Sequence, residues 1–501
     1  MHKMKTQIFN PYLPESEYIP DGEPHLFDGR VYIYGSHDKA FGKDYCEGDY
    51  VVWSAPEHDL TNWRYEGVSY RKTQDPSNAD GTKNLWAPDV CKGCDGRYYL
   101  YYCLSFHPEI GVAVSDTPAG PFTFYGHIKY PQNIRNGAVL REFMPFDPAV
   151  LNDNGRIYLY YGFAPAKEKE MSVPDPDSLD IPEEEKEKLR EIAKRFEKDT
   201  FSEYSMVAEL DTDMLTLKEV PREMIPGGHH TDGTNFDGHG FFEASSIRKI
   251  GNLYYFVYSS HKSHELCYAV SRYPDRLFSY GGTLVSNGDI GFNGKTHPSN
   301  ILGNNHGGMV KADNQWYIFY HRQTNGTEYS RQGCAEKLTI LPDGHIEQVE
   351  ITSCGLNKGP LVADGTYPAY IACHITDPTT VSVIDYGNPV LKKQTRVTST
   401  PDGKHQYITD IQNESMIGYK YFAFKDTLAS ITLNLSGQFA GRVSLYTDEE
   451  KNVLIGAETI RLNGKTCLKI PVNVSSGTHA LFCHFSGSGS CELTEFSFLY
   501  S

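Results

Sequence analysis

The stretch Gly155-Arg-Ile-Tyr-Leu-Tyr-Tyr-Gly162 is a turn glycine followed by alternating aromatic and branched residues, the pattern of a strand entered from a tight turn. It recurs as Gly29-Arg-Val-Tyr-Ile-Tyr-Gly-Ser36, Gly96-Arg-Tyr-Tyr-Leu-Tyr-Tyr-Cys103, Gly251-Asn-Leu-Tyr-Tyr-Phe-Val-Tyr258 and Asn314-Gln-Trp-Tyr-Ile-Phe-Tyr-His321. The copies stand about 60 residues apart, the amount of chain that a propeller blade of four short strands consumes, except for one longer interval between Gly155 and Gly251. Five such units predict an all-β protein built as a five-bladed β-propeller.

The long interval holds a charged insertion at about 165–200. Its Pro182-Glu-Glu-Glu185 opens a predicted helix, with proline in the first turn and acids near the positive end of the dipole. Leu189, Ile192, Ala193 and Phe196 then share one helical face. After the fifth unit come a hairpin turn, Pro342-Asp-Gly-His345, and a linker, Cys354-Gly-Leu-Asn-Lys-Gly-Pro360. The texture beyond changes to strands broken by Gly, Asn and Ser, such as Ser430-Ile-Thr-Leu-Asn-Leu-Ser436 and His479-Ala-Leu-Phe-Cys-His-Phe485. The expected organisation is therefore a propeller over 1–357 and a β-sandwich of jelly-roll type over 358–501.

Composition narrows the function. Across 501 residues there are 35 Tyr and 25 Phe, which favours strands. The net charge of -17 argues against nucleic acid or an anionic membrane as partner and is compatible with a neutral sugar. No long apolar run and no signal-peptide pattern is visible, and the 11 cysteines lack framework spacing, so a cytoplasmic location is expected. Cys91-Lys-Gly-Cys94 has no second pair at zinc spacing and reads as two thiols beside a hairpin.

The repeat also sets a register. The position eight residues before each turn residue is Asp21, Pro88, Asp147, Glu243 and His306. If each lies on the innermost strand of its blade, three acids and a histidine surround one axis. Acids are depleted in inner strands, although Asp-Pro is also a common turn initiator. Trp86, Phe146 and Phe242 lie beside this ring, either as core or as flat faces for stacking on sugars. Cleaving a glycosidic bond needs a protonated carboxyl at the leaving oxygen and an ionised carboxylate on the other side of the ring. Acids on separate blades suit the wider separation of an inverting enzyme, and a third carboxylate can hold the acid protonated.

These residues resemble glycoside hydrolase family 43, whose members are five-bladed propellers. The similarity lies in Asn10-Pro-Tyr-Leu-Pro14, Trp86-Ala-Pro-Asp-Val90, Phe146-Asp-Pro-Ala-Val150, Glu243 and His306-Gly-Gly-Met-Val310, spanning residues 10 to about 355. The resemblance implies Asp21 as general base, Glu243 as general acid and Asp147 as the residue that orients the acid and tunes its pKa. It implies a calcium ion on the axis near His306, largely coordinated by water, with Trp86 as a wall of the sugar pocket. Arg322 matches an arginine that holds sugar hydroxyls, with a structural salt bridge as the alternative. One departure is Asp21-Gly-Glu23-Pro24, where Asp-Pro is usual; the register selects Asp21 over Glu23. Gln406-Tyr-Ile-Thr-Asp-Ile411 and Gly418-Tyr-Lys-Tyr-Phe-Ala-Phe424 are similar to a family 6 carbohydrate-binding module.

The implied activity is release of a terminal L-arabinofuranose or D-xylose from hemicellulose-derived oligosaccharides. An endo-arabinanase or galactan-directed exo-enzyme on the same propeller, a retaining fructosidase-type propeller and a non-catalytic lectin are the alternatives.

Overall fold

The computed structural model describes residues 7–129, 145–162, 204–379 and 393–501, apart from 427, with a few positions between 177 and 190. The expected insertion helix therefore lies almost wholly outside the described residues. Five antiparallel sheets follow one another along the chain, four of four strands and one of three, in simple sequential order. Their first strands are Glu23–Phe27, Asp89–Lys92, Phe146–Asp153, Phe241–Ile250 and Met309–Ala312. The five recurring motifs form the second strands: Arg30–Tyr34, Tyr98–Cys103, Arg156–Gly162, Leu253–Ser260 and Gln315–Thr324. This is a five-bladed β-propeller.

The packing explains why the motif is aromatic on both faces. Side chains alternate across a strand, so each second strand sends alternate residues to each neighbouring blade. Tyr32 and Tyr34 pack with Tyr98 and Tyr102 of the second blade, whereas Val31 and Ile33 pack with Val310 and Phe319 of the fifth. Likewise Tyr158 and Tyr160 meet Phe256 and Tyr258, while Ile157 and Leu159 meet Tyr101 and Val112. Tyr255 and Val257 complete the circuit against Ile318 and Tyr320. Each large side chain taken from water contributes about 1.5–3 kcal/mol, and the wedge between two blades needs rings of this size.

The fifth blade has three strands, and the N-terminal segment closes it. Tyr12 N donates to Gly333 O at 3.2 Å. The buried Asn10 side chain donates to Ala335 O, Glu336 Oε1 and Thr352 O at 3.1, 2.8 and 3.0 Å, and accepts from Ala335 N at 3.0 Å. One end of the chain is thus tied to the other side of the ring.

A second sheet-rich region runs from Leu361–Val362 to the long strand Gly477–Tyr500, with its own core around Tyr419, Phe422, Phe485 and Phe496. It is pinned to the propeller by buried polar contacts. Lys420 Nζ lies 3.0 Å from Asp289 Oδ2 and 2.9 Å from Glu350 Oε1.

Candidate active site

The first strands approach one another around the axis. Gly22 bridges Gly307 in parallel, and Ala244 N donates across blades to Asp147 Oδ2 at 3.0 Å. The acids sit where these strands depart from regular pairing. Asp21 and Asp147 have φ of 56° and 48°, and Ala244, directly after Glu243, has φ of 69°. Left-handed backbone is costly for residues with a Cβ and persists where surrounding structure enforces it, often at functional sites. Register shifts flank Glu243 and lie opposite Phe146, the kind of bulge that re-aims a side chain.

Asp21, Asp147 and His306 are brought together. His306 Nδ1 lies 3.4 Å from Asp147 Oδ2 and 4.0 Å from Asp21 Oδ1. Asp21 also faces His321 Nδ1 at 3.3 Å and Arg331 Nη1 at 3.1 Å. His321 Nδ1 accepts from Asp21 N at 3.2 Å, leaving Nε2 to donate to Asn304 O at 2.7 Å. That assigns a neutral ring, in keeping with burial, which pulls the His321 pKa down to about 3. Arg331 also donates from Nε to Asp38 Oδ2 at 2.8 Å and from Nη2 to Asp38 Oδ1 at 3.1 Å.

These neighbours push two carboxyls in opposite directions. Burial raises the Asp21 pKa, but the charges of Arg331 and His306 outweigh it and hold the group below the ordinary aspartate value. Glu243 is raised to about 8, by burial first and then by the charge of Asp147, with Asp21 adding to it. For His306, burial lowers the pKa, yet the carboxylates of Asp147, Asp21 and Glu23 prevail and raise it to about 9. The surroundings thus favour the ionised form of Asp21 and the protonated form of Glu243, the two states that acid–base cleavage of an acetal requires.

Glu23 is buried as well. Its Oε1 accepts from Ser246 Oγ at 2.9 Å and pairs with Arg248, while buried Oε2 has no hydrogen-bond partner among the described residues. An orphaned carboxylate oxygen near an axis already lined by Asp21 and Asp147 suits a hard cation, for which imidazole alone is a poor ligand.

The aromatic candidates partly join. Trp86 meets Phe146 edge to face at 5.0 Å and Phe106 at 5.1 Å, and all three rings are partly exposed. Phe242 precedes Glu243 and is also partly exposed. Arg322 is a correction. Its guanidinium donates to Tyr370 O and Ala372 O of the second region, both at 2.6 Å, and does not reach the axis. Strand alternation gives the reason: His321 points toward Asp21, so Arg322 points to the opposite face. The arginine beside Asp21 is Arg331, on Thr327–Leu338, which the sequence reading missed. Its signal lay in the pairing of that strand with Gln315–Thr324, which places Arg331 opposite Gln323 and two residues from the partner of His321.

Comparison with known proteins agrees with this geometry. The model for glycosyl hydrolases family 43 matches residues 17–178. A xylosidase/arabinosidase of Thermoclostridium stercorarium is 43% identical over 505 residues, covering 99% of each chain. A xylosidase/arabinosidase of Bacteroides ovatus is 30% identical over 69% of this chain and 99% of its own. An arabinoxylan arabinofuranohydrolase of Paenibacillus polymyxa is 26% identical over 93% of this chain and 70% of its own. With a relative so similar along its whole length and an acid set on a five-bladed axis, the chain belongs to glycosyl hydrolase family 43.

Proposed function

We infer that this protein releases a terminal pentose, L-arabinofuranose or D-xylose, from hemicellulose-derived oligosaccharides with inversion at the anomeric carbon. The observation that carries the reading is the convergence of Asp21, Asp147 and His306 on one axis, where the surroundings push the carboxyls of Asp21 and Glu243 in opposite directions. Asp21, ionised beside Arg331, takes a proton from water as that water attacks the anomeric carbon. Glu243 delivers its proton to the glycosidic oxygen as the bond to the leaving group breaks. Asp147 keeps that proton in place by like-charge repulsion and orients the Glu243 strand through Ala244 N. Trp86, Phe146 and Phe242 offer flat faces to the sugar, and buried Arg331 holds Asp21 in place and ionised.

Calcium fits the axis in charge and donor type. His306 would hold it once its ring gives up the proton that the carboxylates favour, with water and the acids around the axis as hard donors, and the ion would then take over the role of fixed positive charge among those acids. The resemblance of the second region to a family 6 carbohydrate-binding module supports a second sugar-contacting surface there, with packing on the propeller alone as the alternative.

The test is hydrolysis of p-nitrophenyl α-L-arabinofuranoside and β-D-xylopyranoside, with proton NMR of the xylose first formed. Appearance of α-xylose from the β-xyloside supports inversion. Appearance of β-xylose would replace the water-activating role of Asp21 with a nucleophilic one. Failure on both glycosides, with turnover of arabinan, would favour the endo-acting alternative.

A further inference from the structure

On the second blade, three side chains that the glycosidase reading does not use converge beside the turn that carries Phe106. His107 and Glu109 lie in the turn between Tyr98–Cys103 and Ile110–Ser115, and His127 ends the outer strand Thr123–His127. Glu109 Oε2 lies between two ring nitrogens, 3.5 Å from His107 Nε2 and 3.7 Å from His127 Nδ1. The ligand atoms of the three residues fall within 4.8 Å of one another.

Two observations go beyond a chance ion pair. His107 Nε2 is buried and has no hydrogen-bond partner among the described residues, a state that costs free energy unless something fills it. His127 has its other nitrogen committed: Nε2 lies 3.0 Å from Asp75 Oδ2, and Asp75 is fully buried and fixed by Ser77 and Tyr102. A carboxylate on the far nitrogen fixes the tautomer and aims the near lone pair outward, which is how metal-bound histidines are oriented. Here it aims Nδ1 at Glu109.

We propose that His107 Nε2, His127 Nδ1 and the Glu109 carboxylate bind a divalent transition-metal ion of the zinc type, with water in the remaining position. Two imidazoles and one carboxylate suit zinc rather than calcium. Glu109 is half exposed, so its side chain can close the last distance without backbone movement. The ion joins the turn to the outer strand. Phe106, next to His107 and held at φ of 53°, packs on Trp86, so the metal steadies one aromatic wall of the cleft. That consequence rests on the reading of Trp86 as a sugar-contacting residue; metal binding itself does not.

The test uses tag-free full-length protein, stripped with chelator and returned to excess Ca2+ so that any axial site is filled. Calorimetric titration with ZnCl2 is expected to show a single equivalent. His107→Ala and Glu109→Gln should each weaken it by about 100-fold, and Asp75→Asn by about 10–100-fold. Glu109→Gln changes only an exposed group and guards against misfolding of the histidine variant. Hydrogen exchange in 104–110 should slow on adding Zn2+ to the wild type alone. No zinc binding, or binding equally tight in His107→Ala and Glu109→Gln, overturns the proposal. Zinc binding that leaves KM for the glycosides unchanged would remove only the link to the aromatic wall.

Discussion

Arg331 divides its guanidinium between two aspartates, with Nη1 3.1 Å from Asp21 Oδ1 and Nε 2.8 Å from Asp38 Oδ2. It is the chief group holding Asp21 ionised against burial. A base held at low pKa works above that pKa and fails as pH falls through it. Arg331→Met should therefore move the acidic limb of the kcat/KM profile to higher pH. The rate at the optimum should fall by about 100-fold or more, and leaving Asp38 buried without its partner should cost about 3–5 kcal/mol. A pH–rate profile and a denaturant melt check both.

Glu243 predicts the other limb. With its pKa raised to about 8, activity should hold through neutral pH and fall as pH rises past that value. Burial is the first cause and Asp147 the second, so Asp147→Asn should shift the basic limb downward while lowering the rate. Glu243→Gln should lose about 100- to 10,000-fold in kcat, with the smaller loss on p-nitrophenyl substrates, whose leaving group needs little protonation.

The same residue should trade stability for activity. A carboxyl whose folded pKa is raised favours folding only below its unfolded value and opposes it progressively up to the folded one. Between about pH 4.5 and 8 the unfolded chain ionises this group more readily than the folded protein does. Glu243→Gln removes that penalty, so at pH 8 the inactive variant should melt higher than the wild type, with the difference vanishing near pH 4. Calorimetric scans at the two pH values decide it.

Arg322 should behave as the reverse of Arg331. Replacing it with Ala strips donors from Tyr370 O and Ala372 O, at about 1–3 kcal/mol for each buried carbonyl left unpaired. The expected result is a lower Tm with kcat and KM on small glycosides within about threefold of wild type. A large KM increase in a variant of unchanged Tm would return Arg322 to the sugar site.

Asn10 offers a measure of ring closure. Asn10→Ala removes three donated hydrogen bonds and one accepted bond at a buried position. Destabilisation of about 2–4 kcal/mol is expected, and limited proteolysis should first cut the N-terminal segment.

Much of this was legible in the chain because a propeller repeats. Each second strand is buried on both faces by neighbouring blades, so Tyr32 and Tyr158 face equivalent surroundings and their motifs look alike. The ring positions were legible for the same reason: a fixed offset from the turn lands on Asp21, Asp147 and His306, and the fold brings both aspartates within 4.0 Å of His306 Nδ1. Arg331 carries no such mark. It stands on a third strand, and only pairing with Gln315–Thr324 reveals its direction. Arg322 misled because His321-Arg322 ends a recurring motif, and position in a motif does not say which face a side chain takes. The left-handed backbones at Asp21 and Asp147 had no sequence signature, since the tertiary frame imposes them.

The buried Lys420, held between Asp289 and Glu350, has a bearing on how this molecule can be divided. A chain cut between the propeller and the second sheet would leave Asp289 without its ammonium, and Arg322 would lose both carbonyls that it now serves. Blades four and five would then carry mismatched charge on a face built to be covered. The appended sheet is thus a floor for that face as well as a separate body, and the two should lose their structure in a single melting step.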